Sequence, residues 1–323
     1  ALLKLPPETS TAASGTDHQQ QQKAEWDVYR ALTMPTLTKE QQQSLQDLRG
    51  THWTVCLGQA NGGSSSNAAL DALLKCLGSS VNKATKSPNG CYTLDQKGFS
   101  VAHACLWKSS KQTPAFFLSR DLQLSSHHGL WPDKLLNRIK EENFEFSKQR
   151  DFVYLSLGSW DQYFGILRSG ETWWGTVDAD LNALLSAWDG CHRVAFGPCR
   201  RVRDPRSTAS SPQYHYQTSW IVVARDGRVA WKNIPAKLAD IFTSRLSTQA
   251  GISQVSLGAQ GSYFVSFLDG TQHYSLPAHI ANACRRVEQQ GQVVTNVVLH
   301  SDLPYDFVLR SSTTAAIKTK NKR

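Results

Sequence analysis

The chain has 323 residues, 40% hydrophobic and 19% charged, with 35 Lys and Arg against 26 Asp and Glu for a net charge of +9. That length and apolar content allow one large domain or two ordinary ones with a real core, and they exclude wholesale disorder, collagen and coiled coil. No apolar run approaches the roughly 18 residues of a membrane-spanning helix.

Residues 1–50 are Ser/Thr-rich and hold two glutamine runs, Gln19–Gln22 and Gln41–Gln43. Such composition buries little apolar surface, so 1–50 is expected to be a low-complexity, disordered extension. A short helix is expected within it, from about Lys39 to Arg49 with Thr38 as N-cap. The chain starts at Ala1 without a methionine. It therefore reads as processed or as a fragment, and a removed targeting segment stays open. Residues 51–98 read as a strand, a loop, a helix and a linker. His52–Leu57 is strand-like, and Gly58–Ser66 is Gly/Ser-rich. Leu70, Leu73, Leu74 and Leu77 have the spacing of one helix face.

From residue 99 the chain repeats itself. One stretch runs Phe152–Gly158, Gln162–Gly170, Glu171–Trp174, then a helical segment Asp178–Ala187. A second runs Arg193–Gly197, Ser219–Gly227, Arg228–Trp231, then a helix from Pro235 to about Arg245. A third runs Gln254–Gly258, Ser262–Gly270, Thr271–Tyr274, then a helix from Pro277 to about Val287. Weaker copies flank them. Val101–Trp107 and Ala115–Arg120 precede a helix Pro132–Glu141, and Asn296–His300 with Tyr305–Arg310 form a shortened last copy. The landmarks Leu157, Phe196, Leu257 and Leu299 are 39, 61 and 42 residues apart. The middle spacing contains an insert, Cys199 to Gln217, so the underlying period is about 40.

Each unit has a physical logic. Its strands are rich in Val, Ile, Phe, Tyr and Trp, which suit a packed pleated surface. Asp226-Gly227 and Asp269-Gly270 separate two such runs, a hairpin signal in which glycine supplies the positive φ. Pro132, Pro235 and Pro277 each open a helical stretch, where a missing N–H costs nothing. The fold expected for residues 99–310 is therefore mainly β with short helices: tandem βββα repeats of about 40 residues, β-propeller-like, with an open stack of ββα units as the alternative. The pattern Leu/Phe-Gly, Tyr/Trp-Phe/Ile-Val, Asp-Gly and a helix after Leu/Ile-Pro resembles tandem repeats of many eukaryotic multidomain proteins without assigned activity. That resemblance implies a propeller-like module and no particular chemistry.

The excess charge sits in two places. Residues 1–100 carry 9 basic and 8 acidic groups. The insert holds Arg200, Arg201, Arg203 and Arg206, and the basic tail 311–323 holds Lys318, Lys320, Lys322 and Arg323. These eight residues are the candidate electrostatic contacts to a partner. Ten tryptophans are more than a core needs. Trp160, Trp173, Trp174 and Trp231 are the candidate aromatic contacts, able to stack on side chains, sugars or bases. Trp173 and Trp174 are consecutive in a strand and so point to opposite faces.

Linear signatures of chemistry are absent. There is no G-x-S-x-G elbow, no HExxH and no P-loop; Gly58–Ser66 lacks the lysine a P-loop needs. Cys191, His192 and Cys199, and His103 with Cys105, lack the paired spacing of a zinc site, so neither metal nor cofactor is expected. Seven cysteines without CxxC suit free thiols in a reducing intracellular compartment, cytoplasm or nucleus. The expected function is a non-enzymatic repeat scaffold presenting a rigid surface to a protein partner. The alternatives are a carbohydrate-binding module, a component of a nucleoprotein assembly, and an enzyme whose site at the repeat axis leaves no linear motif.

Overall fold

The computed structural model describes residues 2–4, 27–31, 51–56, 83–86, 92–95, 101–106, 115–119, 124–125, 132–141, 152–167, 169–188, 190–203, 214–225, 227–247 and 251–313. The upstream strands are β1 (Leu2–Lys4), β2 (Asp27–Ala31), β3 (Thr51–Cys56), β4 (Lys83–Lys86) and β5 (Tyr92–Asp95). Next come β6 (Val101–Leu106), β7 (Ala115–Ser119), β8 (Leu124–Ser125) and helix α1 (Asp133–Glu141). The same order recurs as β9 (Phe152–Leu157), β10 (Tyr163–Leu167), β11 (Thr172–Gly175) and α2 (Ala179–Ala187). Then follow β12 (Cys191–Phe196), a two-stranded ribbon β13 (Arg200–Arg203) and β14 (Tyr214–Gln217), β15 (Trp220–Ala224), β16 (Arg228–Lys232) and α3 (Ala236–Ser247). The chain continues as β17 (Ile252–Leu257), β18 (Tyr263–Phe267), β19 (Gln272–Ser275) and α4 (Ala278–Gln289), and ends in β20 (Gln292–Leu299) and β21 (Phe307–Thr313).

The protein is mainly β, with short helices between small antiparallel sheets. Three sheets are β6-β7-β8, β9-β10-β11 and β17-β18-β19. A fourth is β12-β15-β16, extended by β2 and β1; Asp27 of β2 stands opposite Trp231 of β16. Strands therefore form within the stretch 1–50 that composition marks as disordered: β16 offers an unpaired edge, and an edge recruits any extended segment within reach. The fifth sheet, β20-β21-β3-β5-β4, joins the last two described strands to upstream strands of residues 51–95, with Val308 of β21 opposite Val55 of β3. The expected helices Lys39–Arg49 and Asn67–Leu77 lie outside the described residues. No described helix is long and apolar enough to cross a membrane.

Helices fill the spaces between successive sheets. α2 lies between the sheets of β10 and β15, where Leu181, Leu184 and Leu185 meet Phe164, Val194 and Trp220. α3 does the same one sheet further on, with Leu238 and Phe242 against Ile221, Trp231 and Val265. α4 places Ile280 and Val287 against Phe264, Val297 and Phe307. This explains the sequence of the middle strands. With a packed layer on each side, β10, β15 and β18 are buried along their whole length and read as continuous apolar runs. Alternation still sorts the side chains: in β15, Ile221 and Val223 face the α3 core while Trp220, Val222 and Ala224 face the α2 core.

Local signals behave as their chemistry requires. Gly227 and Gly270 take φ of 86° and 84° at the hairpin turns. Asp269 Oδ1 accepts the Thr271 N–H at 2.9 Å across its turn. Asp178 caps α2, accepting the Leu181 N–H at 2.8 Å. The first strands also lie side by side: β6 against β9, β9 against β12, β12 against β17, β17 against β20, and β20 against β6.

Candidate functional site

The loops that leave the first strands gather at one end of these strands. Two of them have the same build. In Gly158–Gln162, Gly158 N–H donates to Gln162 O at 2.9 Å, and Trp160 and Asp161 both take φ of 60°. In Gly258–Ser262, Gly258 N–H donates to Ser262 O at 2.8 Å, with Gln260 at 58° and Gly261 at 76°. The loop after β20 is bound to both. Ser159 Oγ lies 3.0 and 2.9 Å from the carboxylate oxygens of Asp302, to which it donates, and 3.2 Å from Ser301 Oγ. Ala259 N–H donates to His300 O at 3.1 Å. His300 Nδ1 accepts the Asp302 and Leu303 N–H groups at 3.0 and 3.1 Å, which holds that loop folded back on itself.

The ribbon β13–β14 rises from this end. Arg201 stands opposite Tyr216, and Arg200 opposite Gln217. Trp160 reaches across to it: the Trp160 and Tyr216 rings are 5.2 Å apart, and the two residues are 65% and 55% exposed. A bulky side chain at positive φ costs about 1–3 kcal/mol and persists only where the surroundings enforce it. Here the enforced conformation holds an indole in solvent against a second exposed ring. Beside the ribbon is an open pocket of about 280 Å³ lined by Pro198, Arg200, Gln217, Asn233, Pro235 and Gly261, among others. Asn233 also sits at positive φ, 51°; its Oδ1 accepts from Gln217 at 3.2 Å and its Nδ2 donates to Thr218 O at 2.7 Å.

Carboxylates below this face are already engaged. Asp178 Oδ2 accepts from Trp220 Nε1 at 3.0 Å and from the Thr218 hydroxyl. Cys199 lies close by, and burial, then the charges of Asp302 and Asp178, push its thiol above the ordinary range. A protonated thiol next to carboxylates is a poor nucleophile. Among the described residues, no three His, Cys, Asp or Glu side chains come together as a metal cage.

The candidate residues divide sharply. Arg200 and Arg201 are exposed on the ribbon. Arg203 ends β13 opposite Tyr214. Arg206, Lys318, Lys320, Lys322 and Arg323 lie outside the described residues. Of the four candidate tryptophans, Trp160 is the one exposed to solvent. Trp173 is buried under α1, with its ring 5.8 Å from Phe152, the Arg138 guanidinium 4.6 Å over it, and its Nε1 donating to Glu171 at 2.6 Å. Trp231 is buried against Phe242 at 5.4 Å. Trp174 is half-buried on the α2 side and donates to Asn182 at 3.1 Å. Trp173 and Trp231 are therefore corrected from contact candidates to core residues, because helices cover both faces of the sheets that carry them. Tyr216, Ser159 and Asp302 were not singled out from the sequence; an aromatic residue inside a basic insert was the one available signal. No family model, no curated protein and no solved structure matches the chain.

Proposed function

We propose that this protein is a non-enzymatic scaffold, a closed propeller-like ring of five sheet units that docks an acidic protein surface on its loop end. The observation that carries the docking reading is the Trp160–Tyr216 pair, two exposed aromatic rings in contact, on the same end as Arg200 and Arg201. Aromatic residues and arginines dominate interface energies, and charged flanks steer acidic partners. The ring reading is supported by the succession of first strands, in which β20 returns to β6, and by β3 completing the last sheet. A sheet that borrows a strand from the other terminus leaves fewer open edges. The interlocked Ser159–Asp302 and Ala259–His300 contacts give the loop end the rigidity a recognition surface needs. Cys191, Cys199 and Cys284 carry free thiols, which supports placement in a reducing compartment.

The test is capture from native extract with the full chain, with and without nuclease, beside Trp160→Ala and the double variant Arg200→Ala, Arg201→Ala. A protein set that survives nuclease, and is lost in both variants, supports the reading. Retention by both variants removes the loop end from the interface. Recovery that vanishes with nuclease replaces the protein partner with nucleic acid, for which the same exposed ring pair and arginines are suited. The carbohydrate alternative loses support, because Trp173 and Trp231 are not on the surface.

A further inference from the structure

The first strands surround a small cavity that is separate from the loop end. It measures about 50 Å³ and is lined by Tyr154, Ser156, Arg193, Gln254, Ser256 and Asn296 among others, from β9, β12, β17 and β20. Each of these strands has a register break just before its polar residue: at Cys191/Arg193, Ile252/Gln254 and Val294/Asn296, and on the β10 side of β9 at Ile166/Leu167, opposite Tyr154 and Phe152. A bulge re-aims the residue that follows it, so the cavity is a level built of polar side chains in an otherwise apolar ring.

Its one charge is Arg193. The guanidinium donates from Nη1 to Gln254 Oε1 at 2.6 Å and sits 5.4 Å over the Tyr154 ring. Its Nε is buried and has no hydrogen-bond partner. No acidic residue occurs in any of the five first strands, β6, β9, β12, β17 or β20. The neighbouring imidazole responds to this charge: burial, then Arg193 and Arg225, push His192 down to about 4, so it stays neutral beside the guanidinium. Burial lowers the Arg193 affinity for its own proton too. Arg193 is half-buried, and among the described residues no carboxylate pairs with it; a desolvated cation without an anion is costly, and structures normally pair it. Donors for such an anion are at hand. Ser256 Oγ accepts the Leu299 N–H at 2.9 Å, which leaves its own proton to give. Roughly 10–15 Å³ is enough for one water, so about 50 Å³ has room for one halide-sized ion with accompanying water.

We propose that this axial cavity binds a small monovalent inorganic anion of halide size, held by the Arg193 guanidinium among the side-chain donors of Ser156, Gln254, Ser256 and Asn296. The bound anion would neutralise Arg193 and tie together the four strands that line the cavity. The site stands on its own lining and does not depend on what docks at the loop end; a failed capture experiment leaves it untouched.

The probe is chloride. Thermal unfolding of the full chain is followed as chloride replaces gluconate, too bulky to enter, at constant ionic strength. A saturable rise is expected, of about 5 °C at a hundredfold excess over Kd. Arg193→Met keeps an apolar stem without the charge and should lose the response. If that variant does not fold, chloride-35 line broadening on the wild type decides: broadening reversed by bromide supports the site. Equal unfolding temperatures in the two salts with no broadening overturn the proposal, and so does a chloride response that survives in Arg193→Met.

Discussion

Replacing Trp231 by alanine separates a core tryptophan from a contact tryptophan. Trp231 is 6% exposed and sits in the core shared by β15, β16, α3 and β18, with its ring 5.4 Å from Phe242. An indole buries about 150–250 Å², which at about 25 cal/mol per Å² gives an upper bound of about 4–6 kcal/mol. Some of the space should close, because α3 can settle toward β16, so the expected loss is about 3–5 kcal/mol. Urea unfolding followed by far-UV circular dichroism measures it, with the slope checked against wild type so that a changed midpoint reports stability. Trp160→Ala is the control. Its side chain is 65% exposed, so truncation should shift stability by about 0.5 kcal/mol or less. Trp160→Gly should stabilise by about 1 kcal/mol, since glycine takes the 60° φ without strain. A Trp231→Ala loss under about 1 kcal/mol, or a larger loss for Trp160→Ala, would mean that the sheet faces are assigned the wrong way round.

Three further outcomes follow from single contacts. Asp178→Ala removes a helix cap and the acceptor of the Trp220 indole, and should cost about 2–4 kcal/mol in urea unfolding, with Asp178→Asn milder; equal losses for the two would refute a hydrogen-bonding role. Gly165→Ala in β10 drives a Cβ into the Phe152 ring, so a loss of about 1–3 kcal/mol is expected, and an unchanged midpoint would contradict that packing. Burial, then Arg193 and Arg225, hold His192 at about 4 against an ordinary 6.5. Between those values the unfolded chain takes up a proton that the folded chain does not, so stability falls as pH drops from about 6.5 to about 4. His192→Gln should flatten that part of a urea-midpoint profile; an unaltered profile would assign the slope to other groups.

What the sequence revealed was local. Pro132, Pro235 and Pro277 stand immediately before α1, α3 and α4, and Gly227 and Gly270 mark turns, because those residues act on their own backbone. Alternation placed Trp173 and Trp174 on opposite faces. It could not say that both faces are covered, since that depends on α1 and α2, each packed against a different side of the sheet. The pairing of β3 with β21 joins residues more than 250 positions apart and has no local trace. The contact of Ser159 with Asp302 spans 143 positions, and neither residue belongs to a motif. Arg193 reads as an ordinary polar residue in a strand; only the bulge before it and its position among the first strands set it apart.

Ring closure is the claim on which the arrangement of the loop end rests, and hydrogen exchange of the full chain tests it directly. Peptides covering Thr51–Cys56 and Phe307–Thr313 should be protected together, to a level comparable with Tyr263–Phe267 in the buried β18. Removing the residues up to Cys56 should then expose Phe307–Thr313 while leaving Tyr263–Phe267 protected. Fast exchange over Thr51–Cys56 in the intact chain, or no change over Phe307–Thr313 on truncation, would show that β3 does not complete the last sheet and that the ring is open.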